Sequence, residues 1–253
     1  AKKVTCLALG VALVALIWGV LPTDVRAMII RHKCSHEDNS FFKVTRLNAS
    51  NTVRPFERNM KPLSEKSIHL LTDAYKTNAF SVLKGNTIYA EHYFRGYNSS
   101  SRFNPYSATK SIVSLLVGIA HDEGSIKSLD DKVTNYIPES ALKNTTIRDV
   151  LHMSSGVGQT KVHWLWDMGM DYFCNNLTER TLSLEPELEP GKYFVYNNLN
   201  TQLLGMIVQS ATHKRIDQYA EEKLWSKVAV DDAEWCMDNS GNVKIYCCLF
   251  TRV

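Results

Sequence analysis

The sequence lacks the features that mark several functional classes. Its 253 residues carry a formal charge of only +3, from 29 Lys and Arg against 26 Asp and Glu. There is no basic stripe interleaved with aromatic residues, so a nucleic-acid partner is not expected. There are also no internal repeats and no low-complexity segments. The length suffices for one large or two modest domains with a proper hydrophobic core.

Cysteine is sparse as well. The six cysteines are irregularly spaced, and none combines with histidine at the spacing of zinc ligands. The set is too small for a disulfide scaffold, and adjacent cysteines rarely pair with each other. We therefore expect mostly buried, small hydrophobic side chains at Cys6, Cys34, Cys174, Cys236, Cys247 and Cys248.

The N-terminus carries an uncharged apolar run from Val4 to Pro22, preceded by two lysines. The run is long for a cleaved signal and suitable for a membrane-spanning helix. No good Ala-x-Ala cleavage site follows, so residues 1–22 are expected to be a membrane anchor, with a cleaved signal or a buried helix as alternatives. Export by either signal would place the rest of the chain on the periplasmic or extracytoplasmic side. Residues 23–62 show no strong period and are expected to be a connector.

A second apolar stretch, Ser111 to His121, follows the segment Asn104–Lys110. A proline before it and Gly124 after it predict the two ends of a helix, which is apolar on nearly every side and should be central and buried. Ser107 and Lys110 would lie one turn apart on one face. A partly desolvated lysine favours the neutral amine, which can take a hydroxyl proton. The free N–H groups of the first turn could stabilise an oxyanion.

The Ser-x-x-Lys spacing alone is weak, because it also occurs at Ser40–Lys43, Ser81–Lys84 and Ser140–Lys143. The pair at 81 and 84 lies in a predicted hairpin, where residues three apart point to opposite faces. Only Ser107 combines the spacing with the start of an apolar helix, which favours Ser107 as the nucleophile.

Other elements can be predicted along the chain. An aromatic and Met-rich loop at 164–173 would either line a substrate cleft or lie in the core. The remaining predictions are a helix over Ser64–Tyr75, strands Ala79–Lys84 and Thr87–Phe94, a capped helix over Thr145–Met153 and an apolar helix over Thr201–Ala211. Sequences that match glycosylation sequons begin at Asn48, Asn98, Asn144 and Asn176. Chance explains such matches in a chain rich in Asn, Ser and Thr, and they matter only in a eukaryotic secretory protein.

Several motifs, in order over about residues 63–253, resemble the penicillin-recognising serine hydrolases. These are the class C β-lactamases, D-Ala-D-Ala carboxypeptidases, related esterases and 6-aminohexanoate-oligomer hydrolases. The resemblance is carried by Tyr106–Ser111, Val117–Gly124, Leu129–Val133, Ile147–Gly156, Pro190–Asn198 and Leu203–Gly205.

The resemblance implies an α+β, β-lactamase-like fold. It would contain an incomplete antiparallel sheet flanked by helices, with an inserted all-helical region at about 125–205 and the active site in the cleft between them. Ser107 would be the acylated nucleophile and Lys110 its activating lysine. Tyr196 and Asn198 would be the Tyr-x-Asn element. A phenol near an ammonium can have a depressed pKa and shuttle protons, and the asparagine amide can hold the lysine and a substrate carbonyl.

One departure from the family pattern concerns the C-terminal part. No Lys/His-x-Gly element follows Tyr196, so the domain over 63–253 is expected to be missing its C-terminal part and one oxyanion donor, whose loss typically costs ~10²–10³ in rate. The function expected is hydrolysis of a small-molecule or peptide amide or ester (β-lactam, D-Ala peptide or short-chain substrate) without metal or cofactor. The alternatives are a membrane-tethered binding or sensor domain without turnover, and an inactive fragment.

Overall fold

The structure is a computed structural model that describes residues 18–31, 40–48, 56–158, 164–228 and 231–252. The α-helices are α1 (Thr23–Arg31), α2 (Glu65–His69), α3 (Thr109–Asp122), α4 (Ile147–Leu151), α5 (Trp164–Phe173), α6 (Leu177–Leu182), α7 (Asn198–Thr212) and α8 (Ile216–Ala220). The strands are β1 (Lys43–Leu47), β2 (Glu57–Arg58), β3 (Ala79–Lys84), β4 (Thr87–Tyr93), β5 (Ala233–Met237) and β6 (Leu249–Phe250).

The strands form two small sheets. In the first, with strand order β1-β5-β6, both pairs are antiparallel. In the second, with order β2-β4-β3, the predicted hairpin β3–β4 is antiparallel and the short β2 adds a parallel edge. The α+β character is thus confirmed, although the expected antiparallel sheet is divided in two and contains one parallel pair.

The main core lies where α3, α4, α7 and α8 pack with the first sheet. Helix α3 contributes Val113, Leu116, Val117 and Ala120, all at most 1% exposed. The helix is central, as expected, but its apolar residues are not all buried, because Leu115 is 52% exposed. The helix presents one buried face, at the spacing of an amphipathic helix.

The predicted helices are mostly where the sequence indicates. Ser64 caps α2, which continues as a π-helical turn over Leu70–Ala74. Thr146 and Asp149 form a capping box at the start of α4, each bonding the backbone N–H of the other. Between residues 125 and 205, the described residues form helices, turns and loops without a strand, as expected for the inserted region.

The stretch 23–62, expected to be a connector, contains α1, β1 and β2. Strand β1 pairs with β5, from Lys43 opposite Met237 to Leu47 opposite Ala233. Because Leu47 is fully buried in the main core, this part of the stretch belongs to the folded body. The apolar run before Pro22 lies mostly outside the described residues.

The expected loop at 164–173 is helix α5 instead. Its last residues, Tyr172 and Phe173, are buried in a second apolar cluster with Phe250 and four cysteines, so at these two positions the aromatic residues are core rather than cleft lining. The cysteines are Cys174, Cys236, Cys247 and Cys248.

The expectation that adjacent cysteines would not pair is also wrong. Cys247 and Cys248 are joined by a disulfide, and Cys248 has a φ of 66°. Cys174 and Cys236 are buried thiols, as expected for small hydrophobic side chains. The other two cysteines lie outside the described residues.

Candidate active site

The serine sits on a tight turn before α3. Tyr106–Ala108 form a 3₁₀ turn, and the α-helix begins at Thr109. Tyr106 has a φ of 47°, a left-handed conformation that a bulky residue rarely adopts. The side chain of Asn104 holds this turn, because its Oδ1 accepts a hydrogen bond of 2.9 Å from the Tyr106 N–H. Ser107 is therefore exposed at the mouth of a buried helix.

Lys110 is the centre of the site. Its Nζ lies 3.0 Å from Oγ of Ser107, 3.0 Å from Oδ1 of Asn198 and 2.9 Å from the carbonyl oxygen of Tyr246. The same nitrogen lies 5.1 Å from the centroid of the Tyr196 ring and 5.6 Å from that of Tyr246. Lys110 thus joins residues from three distant parts of the chain.

Tyr196 and Asn198 reach the lysine because the segment before α7 is anchored to the end of α4. The N–H of Val195 donates to the Met153 carbonyl at 2.7 Å. Asn197 then caps α7 by accepting from the N–H of Leu199 at 2.8 Å. Asn198 is the first residue of α7, which packs against α3, so the two helix starts meet at Lys110.

The electrostatics favour proton transfer between these groups. Burial lowers the pKa of the Lys110 amine, against opposing effects of Tyr196 and Asp171. Burial alone would raise the pKa of Tyr196, but hydrogen bonding to Ser107 and Lys110 and the lysine charge outweigh it, so the phenol pKa is below its usual value. Both changes bring the two groups nearer to the pH at which they can exchange protons.

The structure brings together Ser107, Lys110, Tyr196 and Asn198, which the sequence singled out. It also adds Asn104 and the Tyr246 carbonyl, which the sequence did not indicate. Asn104 stands in the segment before the nucleophile and is only 6% exposed. Its position beside Pro105 is the only signal in the sequence that points to it. Because every residue has a backbone carbonyl, the sequence gives no sign that the carbonyl of Tyr246 has this role.

The structure contains no second site of the same kind at the Ser-x-x-Lys pair within β3, where Ser81 and Lys84 lie on a strand. In the described part of the chain no group of His, Cys, Asp and Glu could hold a metal ion. Within the same residues, no helix is both long enough and apolar enough to cross a membrane.

The architecture is that of an α+β protein, with helices around small sheets and a Ser-Lys-Tyr-Asn cluster at the start of one helix. The family model named Beta-lactamase matches residues 57–241, and the chain belongs to the Beta-lactamase family. The fold is therefore β-lactamase-like, and the predicted resemblance to the penicillin-recognising serine hydrolases is confirmed.

Individual relatives agree with this assignment. The chain is 29% identical over 182 residues to a 6-aminohexanoate-dimer hydrolase from Paenarthrobacter ureafaciens, covering 65% of this chain and 46% of the relative. It is 25% identical over 142 residues to Beta-lactamase-like protein 2 from Dictyostelium discoideum, covering 53% of this chain and 26% of the relative.

Solved structures show the same fold. A candidate 6-aminohexanoate-dimer hydrolase from Bacillus anthracis superposes with a TM-score of 0.76 at 18% identity, covering 86% of this chain and 64% of the other. A penicillin-binding protein from Bacillus halodurans gives a TM-score of 0.55 at 19% identity, with coverage of 66% and 57%. The chain therefore spans about half the length of the curated hydrolase and under two thirds of these solved structures.

Proposed function

We propose that this chain is a serine hydrolase in which an amide or ester acylates Ser107. The observation that carries the proposal is the Lys110 amine, within hydrogen-bonding distance of the Ser107 hydroxyl and of two carbonyl oxygens. The family supports hydrolysis, because the curated relative is a hydrolase.

Counting hydrogens at Lys110 explains how it would act. The carbonyl oxygens of Asn198 and Tyr246 can only accept hydrogen bonds, so each takes one N–H of the amine. A neutral amine has two N–H groups and one lone pair. With both N–H groups engaged, the lone pair is left for the third partner, the hydroxyl of Ser107. Lys110 can then accept the Ser107 proton as Oγ attacks the substrate carbonyl.

Tyr196 would complete the proton path. Tyr196 is 43% exposed and its ring lies 5.1 Å from Nζ of Lys110, so it contacts both the lysine and the solvent through which a leaving group would depart. Its lowered pKa lets it pass a proton to the leaving amine or alcohol and later take one from water. The acyl-enzyme ester would then be hydrolysed, which regenerates the Ser107 hydroxyl.

The backbone N–H of Ser107 is the donor best placed to stabilise the oxyanion. Within the described residues it has no hydrogen-bond partner, and it precedes the first turn of α3. An N–H aimed at the developing charge contributes ~3–4 kcal/mol to such reactions.

The substrate class is proposed from the surroundings. Tyr193 and Phe194, which lead into Tyr196, are 60% and 71% exposed. Exposed aromatic rings favour contacts with an apolar or amide-containing substrate. We therefore place short amides, D-Ala peptides, β-lactams and apolar esters among the substrates to be tried.

The test uses a fluorescent penicillin and a fluorophosphonate probe on the full chain. Wild type should be labelled covalently, Ser107→Ala should not, and mass spectrometry should place the adduct on 107. Equal labelling of the two proteins would refute the assignment of the nucleophile. Circular dichroism of both proteins serves as the folding control.

A second candidate function is a binding or sensor domain that is acylated without turnover. The observation in its favour is the fold shared with a penicillin-binding protein. The same probes separate the two functions, because a hydrolase loses the label with time, whereas a sensor retains a stoichiometric adduct. Failure of both probes and of ester substrates would leave neither function supported.

We also propose that the body of the protein lies on the extracytoplasmic side, tethered through residues 1–22. The apolar run from Val4 to Pro22 and the lysines before it support this. Fractionation of the full chain and of a variant starting at residue 23 tests it: only the full chain should sediment with membranes.

A further inference from the structure

Four Asn-x-Ser/Thr sequons play no part in the chemistry proposed above, and their asparagines differ in what each amide contacts. An N-glycan replaces one N–H of the asparagine amide by a bulky sugar that must remain in solvent. A compatible position therefore needs an exposed side chain whose amide nitrogen has no hydrogen-bond partner to lose.

Asn98 meets both conditions. It lies exposed in the turn that follows β4, and its Oδ1 accepts hydrogen bonds from the N–H and the hydroxyl of Ser100 at 2.9 and 2.5 Å. This local bonding fixes the amide plane through its oxygen. No partner of its Nδ2 occurs in the described part of the chain, so the nitrogen is open to solvent.

Asn144 also has an exposed side chain and an amide nitrogen without a hydrogen-bond partner in the described part of the chain. Its backbone is held on the C-terminal side, because its own carbonyl accepts from Nζ of Lys132 at 2.6 Å and the next residue, Thr145, is fully buried. Its side chain is exposed, and within the described residues the side-chain amide makes no hydrogen bond. A sugar attached here would extend outward from a rigid segment.

Asn176 is the contrasting case. Its Oδ1 caps α6 by accepting from the N–H of Glu179 at 3.2 Å, and its Nδ2 lies 3.4 Å from Oε2 of the same residue. The amide of Asn242 also donates to it at 3.4 Å. The side chain is half-buried, and a sugar on Nδ2 would have to displace the contact of this nitrogen with Glu179.

We propose that Asn98 and Asn144 are N-glycosylation sites and that Asn176 is not modified. In the transfer, Nδ2 forms a bond to the anomeric carbon of an oligosaccharide carried on a lipid pyrophosphate. The anomeric carbon–oxygen bond breaks, the pyrophosphate leaves with the electron pair, and the amide proton passes to a base of the transferase. The inference rests on the extracytoplasmic placement proposed above and on synthesis in a eukaryotic secretory pathway, and not on hydrolase activity.

The experiment is translation of the full chain with eukaryotic microsomes, followed by digestion with peptide N-glycosidase. All proteins carry Asn48→Gln, because residues 49 and 50 of that sequon lie outside the described residues. Two glycans are expected on this parent. Asn98→Gln and Asn144→Gln should each remove one, the double variant should remove both, and Asn176→Gln should remove none.

Two outcomes would overturn the proposal. One is a parent without glycans, and protease protection of the same microsomes then tells whether the body failed to cross the membrane or crossed it unmodified. The other is loss of a glycan in Asn176→Gln, which would mean that the capped, half-buried position is used. Probe labelling of Ser107 in the double variant is an independent measurement, so the hydrolase proposal does not depend on either result.

Discussion

Asn104 accepts a hydrogen bond of 3.1 Å from the backbone N–H of Cys248, through the same Oδ1 that holds the N–H of Tyr106. One buried side-chain oxygen thus ties the turn that carries Ser107 to the segment whose Tyr246 carbonyl accepts from Lys110. A single asparagine therefore holds both the turn that carries Ser107 and the segment that supplies an acceptor to Lys110.

Asn104→Ala should therefore weaken both folding and reaction. It leaves two backbone N–H groups without an acceptor, at a cost of about 1–3 kcal/mol for each one that stays buried. Urea unfolding measures the loss of stability, and the labelling rate of Ser107 measures the effect on the site. Asn144→Ala, at an exposed position, is the matched control and should change neither. An Asn104→Ala protein as stable and as reactive as wild type would contradict this role.

The reaction should accelerate as pH rises through the pKa of Lys110. Lys110 must be neutral to accept the Ser107 proton. Burial places the Lys110 pKa below the usual lysine value, so the neutral fraction of the amine increases as the pH rises through that lowered pKa. The pH profile of the acylation rate checks this. Lys110→Arg, which stays charged at all accessible pH values, should lose ~10²–10⁴ in rate. A flat profile in wild type would argue against a lysine base.

Tyr196→Phe should slow the same reaction by about 10²–10⁴, because it removes the phenol that passes protons. The ring remains, so the packing beside the Lys110 amine is kept and unfolding should change little. Stopped-flow acylation and urea unfolding of the same protein separate the two effects. An unaltered rate would mean that water alone carries the proton to the leaving group.

Lys244 should make stability depend on pH. It is fully buried, its Nζ donates to the Tyr172 carbonyl at 2.9 Å and lies 4.6 Å from the Phe42 ring, and burial lowers its pKa to about 8. Between that value and the unfolded pKa of about 10.4, the unfolded chain binds more protons, so stability rises with pH by about 3 kcal/mol in all. Below the folded pKa the burial penalty is constant.

The check is urea unfolding of wild type and Lys244→Met across this interval. The stability of wild type relative to the variant should increase from pH 8 upward, since methionine has no proton to lose. A constant difference would show that Lys244 titrates alike in the folded and unfolded states.

Two helix glycines offer a matched pair of stability tests. A Cβ at Gly205 on α7 would overlap Cδ1 of Ile245, which is buried, whereas a Cβ at Gly118 on α3 meets nothing within 4 Å. Gly205→Ala should destabilise by about 1–3 kcal/mol through overpacking, and Gly118→Ala should stabilise by about 0.5–1 kcal/mol. Thermal unfolding of the two variants should therefore move in opposite directions.

The sequence could predict the parts of the fold whose causes are local. The Gly85-Asn86 turn fixed the hairpin β3–β4, and the apolar spacing with its flanking proline and glycine located α3. Motif order along the chain pointed to Tyr196 and Asn198. For the hairpin and the helix, neighbouring residues contain the physical reason, whereas Tyr196 and Asn198 were indicated by the resemblance to a family.

What the sequence could not predict depends on distant partners. Strand β1 reads Lys-Val-Thr-Arg-Leu, which has no clear period, and its place is set by pairing with β5 at the other end of the chain. The final rings of the aromatic stretch at 164–173 pack in a cluster that includes Phe250, so their burial depends on residues far along the chain. Local patterning cannot contain such information.

Because Lys110 donates to the main chain at position 246, every amino acid there supplies the same oxygen. The Tyr246 side chain is buried and its hydroxyl donates to the Asp171 carbonyl at 2.7 Å, which holds the segment in place. Deletion or insertion of one residue between Lys244 and Leu249 would carry the acceptor away from the amine. This acceptor is thus set by loop length and by the packing of the segment, which a search for reactive side chains would not reveal.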